Sequence, residues 1–385
     1  MSRQGLAFLS LLFFLPAVLL AATAGAQTVP VPADEVAARF EIGTDGDAVY
    51  LPVNVGDKTC LFLLDTGASY TIFDLSLLST APTGSLRERA PTGQFSTPRF
   101  DTPTATLGSF NLPDSVPFVA GVDLAPIREQ CGDEVYGILG MDFLANHVVR
   151  FDFDQGECVF LKRSPTGAGE KIALRFARSK IPYIVANLAE ASPEHFFIDT
   201  GASAWTDDGD LTKLVAKDLL DAGKARDIGR ITLHDLSGAS TLRRLQCETI
   251  EIGGITVANP IFATGDRANR LGMPFLARFV VTFDFPQGHM YLQGRKSFRP
   301  LGKFNSSGLW IVRREGKTVV DSVRGGSAAE SAGLRAGDEI LKLGEYDALQ
   351  ARLYRLYSLL SQEATTIDVI ARRDGKKFGA SLLLK

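Results

Sequence analysis

The chain lacks the short signatures that mark many hydrolytic and nucleotide-binding sites. It has no Gly-x-Ser-x-Gly, no His-Glu-x-x-His and no phosphate-cradling glycine loop. Serine-elbow, zincin and P-loop chemistries therefore fit it badly. Histidine is scarce: His147, His195, His234 and His289 are scattered, and each reads as structural. The four cysteines, Cys60, Cys131, Cys158 and Cys247, match no metal-site spacing, and nothing around them supports a thiol nucleophile. They fit either one or two disulfides, with three full connectivities, or buried free thiols. Net charge is only −3 and there is no basic block, so nothing points to nucleic acid or an anionic membrane. No metal or other cofactor is implied. Past the N-terminus no apolar run is long enough to cross a bilayer.

What is present is ordinary for a folded protein of two or three domains: 385 residues, 45% hydrophobic and 22% charged. Thirty-seven glycines, with few long periodic apolar patterns, point to β structure with many turns. Residues 1–26 read as a secretory signal. Arg3 is the only charge there, residues 6–20 are apolar, and Ala24-Gly25-Ala26 forms a small-residue cleavage site before Gln27. The expected destination is the periplasm or the exterior, with no stable membrane span after cleavage.

Five residues occur twice: Asp65-Thr66-Gly67-Ala68-Ser69 and Asp199-Thr200-Gly201-Ala202-Ser203. An apolar run precedes each, Leu61-Phe62-Leu63-Leu64 and Phe196-Phe197-Ile198. An apolar strand that delivers a carboxylate into a Thr-Gly turn must give the acid a partner or a shared proton, because burying a lone ionised Asp is costly. The simplest partner is the other copy. Face to face, the two turns make a carboxylate dyad that holds one proton and one water. Two ordinary surface turns would not need the apolar strand before each.

The flanking pattern repeats in register. Asp199 lies 134 residues after Asp65 (199 − 65), and Gly272 lies 132 after Gly140 (272 − 140). Asp284 lies 132 after Asp152 (284 − 152). Strands are expected near residues 49–55, 60–64 and 148–153 in the first copy, and near 183–188, 196–198 and 280–285 in the second. Residues 81–104, rich in Pro, Thr, Ser and Gly, read as a mobile excursion, and residues 162–170 as a linker. Residues 211–220 have helical spacing, with Asp210 as the cap and Gly223 as the stop. A hairpin is expected over 231–245, its tip near Ser237-Gly238. A repeat this long means two copies of one domain rather than a solenoid.

In combination these motifs resemble aspartic proteases, closer to the retropepsin-like branch than to pepsin. Ile138-Leu139-Gly140 resembles the apolar-apolar-Gly element that packs behind the catalytic turn in that family. The resemblance covers about residues 40–295. It implies a mainly β, bilobal pseudo-dimer, with a first lobe over 27–165, a second over 166–298 and a cleft between them. It further implies Asp65 and Asp199 as the catalytic pair and cross-lobe hydrogen bonds from Thr66 and Thr200. Gly67 and Gly201 allow the tight turns. Pepsin-like enzymes carry a hydroxyl where Ala68 and Ala202 stand. Without that donor the dyad is expected to work nearer neutral pH. Hairpins holding Gly93 (84–99) and Gly238 (231–245) are candidate flaps. The second copy departs from the pattern: Asn269-Arg270 stand where apolar residues are expected, and Thr206-Asp207 replace Ile72-Phe73.

Residues 299–385 change character. Val319-Val320-Asp321-Ser322-Val323, the Gly337-Asp338 turn and Glu339-Ile340-Leu341 resemble a PDZ domain of the bacterial protease-associated type. Leu349, Leu353, Leu356 and Leu360 fit one helix face, and residues 366–372 a final strand before Gly375. The resemblance implies capture of a C-terminal peptide at Gly308-Leu309-Trp310-Ile311, with Trp310 where the family has Gly. Two functions follow. One is an exported aspartic endopeptidase whose PDZ domain recruits or gates a peptide or protein substrate. The other is a catalytically weak or inactive peptide-binding protein on the same fold.

Overall fold

The computed structural model describes residues 31–44, 46–90, 93–131, 134–202, 208–235, 238–265, 268–296, 306–362 and 364–384. The expected signal segment, 1–26, lies outside them, as do Ser203, Thr206, Asp207 and Ser237.

The protein is mainly β. Its first large sheet begins with a hairpin, Gly84–Ala90 and Gly93–Asp101, then runs through Phe118–Val122, Ile72–Asp74, Val135–Leu139, Lys58–Leu64 and Tyr50–Val55. Residues 81–104 are thus largely a paired hairpin rather than an excursion. The second large sheet repeats the order: the hairpin Ala225–Asp235 and Gly238–Cys247, then Ile261–Gly265, Gly209–Thr212, Asn269–Leu271, Pro193–Ile198 and Pro182–Leu188. Even the sense of pairing is kept. Val135–Leu139 runs parallel to Lys58–Leu64, and Asn269–Leu271 runs parallel to Pro193–Ile198.

A third sheet joins the halves. Val148–Asp152 pairs antiparallel with Phe279–Asp284 at its centre, each backed by its own hairpin partner, Glu157–Leu161 and His289–Gly294. Phe151 and Phe283, both fully buried, meet edge to face across that seam at 5.7 Å between ring centres. One continuous apolar core, from Val49 to Leu292, runs through both halves, so burial that stabilises one lobe stabilises the other.

Matching registers correct two expectations. Ile72 pairs with Ile138, and Asp210 pairs with Arg270. The counterparts of Ile72-Phe73 are therefore Asp210-Leu211, not Thr206-Asp207. The second turn is four residues longer, 210 − 199 against 72 − 65. Asp210 is a strand residue, and the helix Lys213–Asp221 is capped by Thr212, whose hydroxyl accepts from Val215 N–H. Gly223 follows that helix at φ +69°, the left-handed stop expected of glycine. Cys60, Cys158 and Cys247 are buried free thiols, so none of the two-disulfide connectivities is present.

The C-terminal residues form a separate sheet, with Leu309–Arg314 at its edge, followed by Lys317–Val323, Glu339–Leu343, Thr366–Arg373 and Lys376–Leu383. A helix, Leu353–Leu360, buries Leu353, Leu356 and Leu360 in a core of its own. Leu349 precedes that helix and is exposed. The module leans on the first lobe. The edge strand Leu309–Arg314 packs against the helix Ala125–Cys131, and Arg352 lies 3.7 Å from Asp47 and over the ring of Tyr50.

Candidate active site

Alternation in the two delivering strands decides where the acids go. Phe62 and Leu64 point into the core of the first half, and Phe196 and Ile198 into that of the second. Each chain then leaves its strand at an aspartate whose own N–H stays tied to the neighbouring strand. Asp65 donates to Leu139 O and Asp199 to Leu271 O, both at 3.0 Å. Three residues on, Ala68 O accepts from Met141 N–H at 2.8 Å and Ala202 O from Met273 N–H at 2.9 Å. The Leu-Gly elements thus back each turn from behind, and both ends of each turn are fixed.

The two turns hold each other through their threonines. Thr66 N–H donates to Thr200 Oγ1 at 3.0 Å, and Thr200 N–H donates to Thr66 Oγ1 at 3.1 Å. Each hydroxyl passes its own proton onward, Thr66 to Ile198 O at 2.7 Å and Thr200 to Leu64 O at 2.8 Å. Both threonines are completely buried, so every one of these groups needs its partner.

The carboxylates lie against each other's turns. Asp65 Oδ1 accepts from Gly67 N–H at 2.7 Å. Asp199 Oδ1 accepts from Gly201 N–H at 3.1 Å and Ala202 N–H at 3.0 Å. A Cβ on Gly67 would stand 2.6 Å from Asp199 Oδ1, and a Cβ on Gly201 2.6 Å from Asp65 Oδ1. Neither glycine has a positive φ. What demands glycine here is the approach of the opposite aspartate, which corrects the expectation of a glycine-only turn. Burial first, and then the charge of Asp199, push the Asp65 carboxyl up to about 8, and the two side chains also share a hydrogen bond.

Arg270 is the residue that sequence reasoning left without a role. Its Nη1 donates to Asp199 Oδ2 at 2.9 Å, and its Nη2 to Asp210 Oδ2. Burial works against the guanidinium charge, but Asp210 and Asp199 outweigh it, so Arg270 is held charged more firmly than usual. Burial pushes the Asp210 carboxyl up, and Arg270 pulls it back. In the first lobe the same two strand positions hold Ile72 and Ile138, packed with Ala120 and flanked by Leu63, Ala68 and Leu86. The expected want of a side-chain donor, read from Ala68 and Ala202, is therefore corrected at Asp199, where Arg270 supplies one. The signal was visible as a charge in an apolar position, but its target was not. A second missed residue is Asp142, whose oxygens accept from Thr71 N–H at 2.9 Å and Thr71 Oγ1 at 2.7 Å behind the first turn. Pro274 occupies the matching place, two residues after Gly272.

Gly93 and Gly238 each open the returning strand of a hairpin, paired with Ala90 and Asp235 respectively. They are equivalent in the two sheets. The loop expected to capture a peptide carboxylate is differently engaged. Gly308 takes φ +70° against Ser327, and Leu309 N–H donates to Ser307 Oγ at 3.1 Å. Ile311 N–H donates to Tyr357 Oη at 2.9 Å, and the same hydroxyl donates to Ile311 O at 2.7 Å. Trp310 is half-buried, its ring 6.1 Å from that of Tyr357. The amides of Leu309 and Ile311 are thus satisfied within the module.

Residues 51–143 match the family model described as aspartyl protease, which covers the first Asp-Thr-Gly turn and the Leu-Gly element behind it. The first lobe is therefore aspartic-protease-like. Among solved structures, an aspartic proteinase from Irpex lacteus matches at 18% identity and TM-score 0.42, over 67% of this chain and 98% of that one. A photosystem II D1 C-terminal processing protease matches at 24% identity and TM-score 0.21, over 23% of this chain and only 25% of that one. No curated protein matches the chain.

Proposed function

We propose that the protein is an exported aspartic endopeptidase. The observation that carries the reading is the reciprocal pair of hydrogen bonds between Thr66 and Thr200, which serves to hold two aspartates from duplicated lobes at one point. One ionised carboxylate takes a proton from a water between the acids, and the water oxygen bonds to the peptide carbonyl carbon. The protonated carboxyl gives its proton to the carbonyl oxygen, forming a gem-diol. On collapse the C–N bond breaks. The proton held by the first carboxylate moves to the leaving nitrogen, and the diol returns a proton to the second. The sum is one water consumed and one carboxyl and one amine released.

The hairpins ending at Gly93 and Gly238 are the proposed covers of the cleft. The C-terminal residues serve as a PDZ-like module that docks on the first lobe. With Leu309 and Ile311 engaged internally, its role is to gate rather than to hold a free chain end. The reading of a peptide binder that does not cut has one observation in its favour, the ion pair on Asp199.

The test is cleavage of casein and of a peptide library across pH 3–9 by the wild type and by Asp65→Asn and Asp199→Asn. Cleavage by the wild type and a loss of at least a thousandfold in both variants is expected. Equal cleavage by all three, or none by the wild type at any pH, removes the enzyme reading.

A further inference from the structure

The two acids of the dyad have unequal surroundings. Asp199 accepts from Gly201 N–H, Ala202 N–H and the Arg270 guanidinium. Asp65 accepts from the Gly67 N–H, and the strand positions that hold Asp210 and Arg270 in the second lobe hold Ile72 and Ile138 in the first, which carry no donor. More donors, one of them charged, favour the ionised form of the acid that receives them. Burial with fewer donors favours the neutral form of the other. The arginine cannot lose its proton and so acts as a fixed charge. Asp210 anchors its other branch and holds the fork in place. The charged groups that act most on Asp65 are Asp199 and Arg270, and those that act most on Asp210 are Arg270 and Asp199.

We infer that Arg270 is a positioning residue of the dyad, which fixes the negative charge on Asp199 and leaves the shared proton on Asp65. The inference rests on the peptidase reading for its roles. Asp199 is then the base that takes the water proton, and Asp65 is the acid that protonates the carbonyl oxygen. The duplicated halves have thereby diverged at one matched pair of positions, Ile72 and Ile138 against Asp210 and Arg270, and that divergence removes the symmetry of the two roles.

Three proteins test this: Arg270→Met, Arg270→Lys and the double variant Asp210→Ile with Arg270→Ile. The double variant copies the apolar pair of the first lobe and avoids leaving Asp210 buried alone, so it keeps the test open if Arg270→Met fails to fold. Without the arginine, the acid limb of the kcat/KM profile should move up by about 1–3 pH units. Arg270→Lys should recover part of that shift, since it keeps the charge but loses the fork. A limb that stays in place, or activity that rises when Arg270 is removed, overturns the inference; the latter would make Arg270 a restraint. A second readout needs no substrate. With 13C-labelled aspartate, the carboxyl that stays protonated at pH 6 should vanish from the spectrum in Asp65→Asn and persist in Asp199→Asn. The reverse overturns the assignment even if no peptide is ever cut, whereas absent cleavage with the expected spectrum removes only the peptidase reading.

Discussion

Gly67 leaves no room for a side chain against Asp199: a single added carbon would stand 2.6 Å from Oδ1. Asp199 cannot simply swing away, because Gly201, Ala202 and Arg270 all donate to it. Gly67→Ala should therefore displace the acid. A shift of about 1 Å in a catalytic group costs on the order of a hundredfold in rate. The expected outcome is a folded protein with at least that loss in kcat, checked by circular dichroism beside peptide cleavage.

The threonine interlock makes a prediction about stability. Thr66→Val keeps the shape but removes the hydroxyl, which orphans Thr200 N–H and Ile198 O in a fully buried site. Each orphaned group costs about 1–3 kcal/mol. Denaturant unfolding should show a loss of that order or larger. Thr66→Ser, which keeps the hydroxyl, should lose far less.

Asp65 links stability to pH. Its carboxyl is raised in the folded protein by burial and then by Asp199, from the ordinary value of 3.8 to about 8. Between those values the folded state holds a proton that the unfolded state has released, so stability falls as pH rises through that window. Asp65→Asn removes the titrating group. The gap in melting temperature between variant and wild type should widen in favour of the variant from pH 4 to pH 8. Parallel curves would contradict the raised carboxyl. Cleavage should fade over the same upper range, as the acid loses its proton, which places the optimum nearer neutral than acid.

Tyr357 closes the edge of the C-terminal sheet by bonding to both backbone groups of Ile311. A peptide adding as a strand to that edge needs open groups on it. Wild-type protein should show no calorimetric binding of an apolar C-terminal peptide. Tyr357→Phe leaves both Ile311 groups without the hydroxyl, at about 1–3 kcal/mol each. A lowered melting temperature, partly restored by the same peptide, is the expected result.

Much of this site was legible in the sequence because its signals are local. A repeated pentapeptide after an apolar run fixes a strand, a turn and an acid, and the matched intervals to Gly140 and Gly272 fix the element behind each turn. The duplicated order of both large sheets follows from the same repeat. Signals that depend on who faces whom were not legible. Asp210 read as a helix cap because its neighbours have helical spacing, yet its strand pairs with Arg270. Gly67 and Gly201 read as turn glycines, yet the constraint on each comes from the opposite lobe.

By itself, then, the chain determined two β-rich copies, each carrying one carboxyl into a Thr-Gly turn, and a third module after them. Periodicity and turn chemistry act over a few residues, so they survive translation into sequence pattern. Only the tertiary structure decided that the two carboxyls differ. That difference comes from Arg270, 71 residues from Asp199 along the chain and 2.9 Å from it in space. Charge at close range in a dry site is felt through distance alone, and distance is what a linear sequence does not record.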